Sequence, residues 1–156
     1  GLSIFRHEKH SLSAQDYNLL VDAYRLPKPP VRFGSAATSL MTSAIDVSDG
    51  LIADLGHLAQ SSSVKITIDG NAIPRSSALR ALWGEGPDAL VRAVTAGDDY
   101  QIAFTTRAKE ELIQLDAASA GGILVTRIGR VEAGEGVHLI LDGKEIPVPK
   151  PGYSHF

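Results

Sequence analysis

Apolar positions recur in two rhythms along the chain, and the change from one to the other marks its elements. Tyr17, Leu20, Val21 and Tyr24 stand at i, i+3, i+4 and i+7, one stripe of a helix that should face the core. Ser13 is placed as its N-cap with Asp16 three residues on, and Pro27 stops it, leaving Lys28-Pro29-Pro30 stiff and extended. Gly34 opens a small-residue segment, Ser35 to Ser43, expected to be helical. Ile45 and Val47 then alternate with Asp46 and Ser48 as a strand end does. From Leu51 the period lengthens: Leu51, Ile52, Leu55, Leu58 and Ala59 form one helical stripe.

Val64, Ile66 and Ile68 alternate with Lys65 and Thr67, which predicts a strand with one buried and one wet face. Asp69-Gly70-Asn71 turns into a short helix around Ala78 to Leu82. Pro87 suits the first turn of another, reaching about Val94 with Leu90, Val91 and Val94 inward and Trp83 as a packing anchor between the two. Tyr100 to Thr106 reads as a strand with Ile102 and Phe104 on one face, and Arg107 to Asp116 as an amphipathic helix. Val125 to Val131 and Val137 to Leu141 are further strands, the latter joined through Asp142-Gly143, a tight hairpin turn, to Lys144-Glu145-Ile146. Pro147 to Phe156 is an extended tail. Helices interleaved with strands predict an α/β (α+β) domain, a mixed β-sheet covered by helices.

Composition narrows the function classes. With 156 residues, 44% hydrophobic and 21% charged, the chain suits one domain with a proper core. A net charge of −3 and no long basic run give no footprint for nucleic acid or an anionic membrane, so neither partner is expected. The absence of cysteine excludes disulfides, thiolate metal sites and a cysteine nucleophile. No apolar run reaches the ~20 residues of a membrane span and no signal sequence is evident, so a cytoplasmic protein is expected. The start at Gly1 suggests a fragment boundary. His7 and His10 have the spacing of a metal pair but lack partners and read as exposed residues.

Chemistry concentrates where the strand ending at Val47 meets the helix starting near Leu51. Asp46, Ser48 and Asp49 read singly as strand-end and capping residues, with Ser48 the natural N-cap and Asp49 set against the positive end of the helix dipole. Taken together they form a second pattern. Two carboxylates three residues apart, ahead of free helical N–H groups, suit Mg²⁺ and a phosphate, the layout of phosphoryl transfer. Asp98-Asp99 reads by itself as a polar turn, and the aromatic tail as a frayed end.

Asp46-Val47-Ser48-Asp49-Gly50-Leu51 followed by Asp54-Leu55, then Ala96-Gly97-Asp98-Asp99-Tyr100 before a strand, and Gly152-Tyr153-Ser154-His155-Phe156 at the end, resemble the C-terminal domain of the thiamine-monophosphate kinases, in the aminoimidazole ribonucleotide synthetase superfamily. The resemblance covers the whole chain and implies that an N-terminal ATP-binding domain is absent from it. It implies ATP-dependent phosphorylation of thiamine monophosphate to thiamine diphosphate, with ATP as co-substrate and Mg²⁺ as cofactor, by a full-length protein that is a homodimer. Carried onto this sequence, it gives Asp46 and Asp49 to Mg²⁺, Ser48 to the nucleotide phosphates, and Asp98 and Tyr153 to the substrate, with Phe156 the alternative aromatic contact. Asp98 stands where the family also uses Glu. Competing readings are another ATP-using member of the superfamily, akin to aminoimidazole ribonucleotide synthetase or selenophosphate synthetase, and a non-catalytic binding module.

Overall fold

The computed structural model describes residues 12–30, 41–107 and 124–149. Helix α1 (Ala14–Arg25) begins as its cap predicts: the Ser13 hydroxyl accepts from the Asp16 N–H, and Asp16 accepts the Ser13 hydroxyl in return at 2.8 Å. Its stripe is only half realised. Leu20 and Val21 are buried, whereas Tyr17 and Tyr24 remain 43% and 40% exposed. The second of the predicted helices fails at its end: Met41, Thr42 and Ser43 belong to strand β1 (Met41–Val47), and residues 35–40 lie outside the described residues.

Helix α2 (Leu51–Ser62) follows β1 and turns Ile52, Leu55, Leu58 and Ala59 inward, as the periodicity requires. Ser63 closes it in the left-handed region, φ 51°. Strand β2 (Lys65–Asp69) comes next, then α3 (Ser77–Trp83), α4 (Pro87–Thr95) with Pro87 in its first turn, and β3 (Gln101–Thr106). Between α3 and α4, half-buried Trp83 carries the Arg92 guanidinium 4.5 Å above its ring, the packing position expected of it. The last described elements are β4 (Gly129–Glu132), β5 (Gly136–Leu141) and β6 (Lys144–Ile146). The strand predicted over 125–131 is thus short and late. Asp142 and Gly143, at φ 51° and 75°, make the β5–β6 hairpin with the double positive φ that such a turn needs. The helix predicted over Arg107 to Asp116 falls outside the described residues beyond Arg107.

Two sheets result. β1 and β3 form an antiparallel ribbon, and a mixed sheet runs β4-β2-β5-β6, with β2 parallel to β5 and antiparallel to β4. In the middle of β2 the alternation gives way, and Ile66, Thr67 and Ile68 are all buried. The wet face expected from Lys65 and Thr67 therefore does not exist at Thr67. Its hydroxyl is satisfied by donating to Glu132 on β4 at 2.9 Å, a bond that, ahead of Arg130, holds the Glu132 carboxyl below its usual range. The main core joins α2, α4 and both sheets through Val47, Leu55, Ile68, Leu90, Val94, Ala103 and Leu139. A smaller cluster of Leu20, Val21 and Ala78 docks α1 on α3. The mixed sheet and its helices are the expected fold class, with the β1–β3 ribbon as an addition that the sequence pattern did not separate.

Candidate active site

The ribbon faces two ways. Val47 and Ala103 on one side enter the core, while Asp46 and its cross-strand neighbour Ile102 share the other, as do Ala44 and Phe104. Asp46 is exposed on that outer side. After β1 the chain makes a tight turn through Ser48, Asp49 and Gly50, and here the structure corrects the sequence reading. Ser48 does not cap α2. The cap is Gly50, at φ 119°, with no side-chain cap bond. The turn is held instead by Asp54, inside the helix and 3% exposed, whose Oδ2 accepts the Ser48 N–H at 2.9 Å and the Asp49 N–H at 3.1 Å. A carboxylate receiving two backbone donors is a strong, charge-assisted clamp. It leaves the Ser48 hydroxyl outside the helix-capping network, at an exposed position.

A second loop, residues 96–100, is strapped across this turn. The Asp98 N–H donates to the Ser48 carbonyl at 2.9 Å and the Tyr100 N–H to the Val47 carbonyl at 3.2 Å. Two glycines permit the approach. A Cβ on Gly97 would lie 2.4 Å from the Ser48 carbonyl oxygen, and one on Gly50 would lie 2.9 Å from that of Thr95. Asp98 and Tyr100 themselves stand at φ 65° and 54°, a left-handed region that aspartate adopts readily and a bulky tyrosine occupies at a cost.

Together the loops border a cavity of about 320 Å³ lined by Pro29, Pro30, Asp46, Val47, Ser48, Asp98, Tyr100, Gln101 and Ile102. Asp46, Ser48 and Asp98 are thus brought to one place from two distant stretches. Half-buried Asp49 sits in the adjoining turn and does not line the cavity. A second groove, of about 250 Å³ beside Ile52 and Ile146, has none of these residues.

No protein-family model matches the chain. Individual proteins do. The thiamine-monophosphate kinase of Escherichia coli (strain K12) is 37% identical over 160 residues, spanning 100% of this chain and 48% of that protein. The solved thiamine-monophosphate kinase from Stenotrophomonas maltophilia K279a superposes with a TM-score of 0.77 at 38% identity, covering 88% of this chain and 42% of that one. AaThiL complexed with AMPPCP and TMP also gives 0.77, at 32% identity, over 99% of this chain and 46% of its own. The chain belongs to the thiamine-monophosphate kinase family. It spans about half the length of the curated relatives it matches, and corresponds to their C-terminal part. The fold of these kinases, that of the aminoimidazole ribonucleotide synthetase class, is the one described above.

Tyr153 and Phe156 lie outside the described residues, as do His7 and His10. Asp54 is the residue whose part in the turn went unread: it was visible only as part of a motif, because its partners lie five and six positions back, beyond ordinary capping distance. An Asp54→Asn variant is expected to lose about 2 kcal/mol of stability, since an amide cannot accept both buried N–H groups with a carboxylate's strength. A urea midpoint equal to the wild type's would disprove the clamp.

Asp46, Asp49, Asp54, Asp98 and Asp99 lie in or beside the turn and the loop, and the crowding acts on one of them. Desolvation first, then the Asp98 charge, raises the Asp99 carboxyl from 3.8 to about 6, with Asp54 adding in the same direction. Negative charge with hard oxygen donors fits a divalent cation such as Mg²⁺. Among the described residues no three acidic or histidine side chains converge to hold one.

Because the folded Asp99 pKa lies above its unfolded value, the folded state holds the proton more tightly. Its contribution is full below pH 3.8 and is lost as pH rises through about 6. Asp99 keeps part of its surface in water, so screening makes the stability change small. Titration followed by carboxyl NMR should place Asp99 near pH 6, and Asp99→Asn should remove the falling limb of stability between pH 4 and 6. An Asp99 signal titrating at about 4 would reject the crowded site.

Proposed function

We propose that the full-length protein containing this chain transfers the terminal phosphoryl group of ATP to thiamine monophosphate, giving thiamine diphosphate. The observation that carries the reading is the convergence of Asp46, Ser48 and Asp98 on one cavity, from two motifs that the loop 96–100 physically ties together. Kinship supports the substrates, since a relative 32% identical over nearly the whole chain was solved with AMPPCP, an ATP analogue, and TMP.

The roles follow from position. Asp46 and Asp49 would hold Mg²⁺, whose charge offsets that of the phosphates when bound. The exposed Ser48 hydroxyl faces a nucleotide phosphate, with the turn fixed behind it by Asp54. Asp98, aimed by its left-handed backbone, contacts thiamine monophosphate, and Tyr153 supplies an aromatic surface to the same molecule. A terminal oxygen of thiamine monophosphate forms the new P–O bond as the bond to the ADP oxygen breaks, a displacement that needs alignment and charge stabilisation rather than a covalent protein nucleophile. An N-terminal domain outside this chain completes the nucleotide cleft, the working form is a homodimer, and the compartment is the cytoplasm; among the described residues no helix is long and apolar enough to cross a membrane.

The test is direct. Full-length protein with ATP, Mg²⁺ and thiamine monophosphate should accumulate thiamine diphosphate, and omission of any one should stop it. Turnover of a different phosphoryl acceptor with none of thiamine monophosphate would replace this reading by that of a sister enzyme.

A further inference from the structure

Tyr100 is a half-exposed aromatic residue, 49% accessible, on the wall of the same cavity as Asp46, Ser48 and Asp98. Its backbone stands at φ 54°, a region that a bulky residue occupies at a cost and that Gly or Asn would occupy more easily. The loop is nevertheless anchored in this form by the Tyr100 N–H bond to Val47 and the Asp98 bond to Ser48. A strained tyrosine held against the cavity points to a function for the side chain so displayed. Asp46, Ser48 and Asp98 bring polar groups suited to metal and phosphate to the cavity lining, and Tyr100, Ile102, Pro29 and Pro30 bring apolar and aromatic surface to it. An aromatic face next to a carboxylate favours a flat organic cation over a hydrated metal ion.

We propose that Tyr100 is a specificity-determining residue of the kinase, its ring meeting the cationic heterocycle of the phosphoryl acceptor while Asp98 supplies the opposing charge. The proposal rests on the reading of the acceptor as thiamine monophosphate, whose thiazolium ring is such a cation. It assigns recognition of that ring to the loop 96–100 in addition to the tail.

The decisive comparison uses full-length protein and four forms: wild type, Tyr100→Phe, Tyr100→Leu and Tyr100→Asn. Tyr100→Asn removes the ring while suiting the left-handed backbone, so it keeps the fold even where Tyr100→Leu does not. Both ring deletions should raise the KM for thiamine monophosphate about tenfold, leaving kcat and the KM for ATP within about twofold, and Tyr100→Phe should restore the wild-type KM. A thiamine monophosphate analogue carrying a neutral thiophene in place of the thiazolium should be discriminated against by the wild type and by Tyr100→Phe, and no longer by Tyr100→Asn. Unchanged KM and unchanged discrimination in Tyr100→Asn, with thiamine diphosphate still formed, would overturn the role of Tyr100 alone. Failure of the wild type to form thiamine diphosphate would overturn both this proposal and the reading beneath it.

Discussion

Full-length protein carrying Asp46→Asn together with Asp49→Asn is expected to form thiamine diphosphate at least about 100-fold more slowly than wild type, a loss on the order of 3 kcal/mol in the transition state. Asparagine keeps the shape of each side chain and removes the charge, so the effect isolates charge from packing. Asp46 is exposed on the outer face of β1 and Asp49 is half-buried in the turn. Neither lies in the core, and the turn they flank is fixed from behind by Asp54. The unfolding midpoint should therefore move by less than about 1 kcal/mol. Activity at saturating ATP, measured across a Mg²⁺ titration, is the readout. A folded double variant with normal turnover would leave these aspartates as strand-end and turn residues, the plain reading that each admits alone.

How far the sequence disclosed this arrangement depends on the range of the interactions concerned. The strand ending at Val47 and the helix stripe from Leu51 to Ala59 were legible because a buried face imposes its period on every residue along it. Ser13 was legible as a cap for the same local reason, its partner being three residues away. Ser48 was misread because local rules offer a serine before a helix no other role, whereas the structure starts the helix two residues later, behind Gly50. At that start Thr95 lies close to Gly50, a contact between segments far apart in the chain, which no window of sequence contains. Thr67 illustrates the same limit from the other side: alternation in β2 predicts a wet face, whereas Thr67 is buried and its hydroxyl bonds Glu132 on β4, far away in sequence.

Tyr17 and Tyr24 show the converse error. They share a stripe with Leu20 and Val21, and periodicity treats all four alike, yet the small surface of α3 around Ala78 covers only the middle pair. For the candidate site, the residue types were readable and the assembly was not. Asp46, Ser48 and Asp98 announced themselves as motif members, but that they border one cavity follows from two backbone hydrogen bonds and two glycines.

Those glycines make the second large prediction. In Gly97→Ala the new methyl group would lie 2.4 Å from the Ser48 carbonyl oxygen, well inside contact distance, and the obstacle is backbone that cannot rotate aside. The same oxygen accepts the Asp98 N–H, so relieving the clash means lifting the loop and breaking that bond. A destabilisation of about 3 kcal/mol is expected from overpacking and the lost bond together. Loop separation also carries Asp98 and Tyr100 away from Asp46 and Ser48, so thiamine diphosphate formation should fall by at least about tenfold even in the fraction that remains folded. Gly56→Ala supplies the contrast. Gly56 lies within α2 with nothing within 4 Å of where its Cβ would stand, so alanine there should stabilise by about 0.5–1 kcal/mol through helix propensity. Urea midpoints of the two variants should move in opposite directions from the wild type. If Gly97→Ala kept both the wild-type midpoint and wild-type turnover, the loop 96–100 would not be pressed against the 48–50 turn, and the site would have to be assembled in another way.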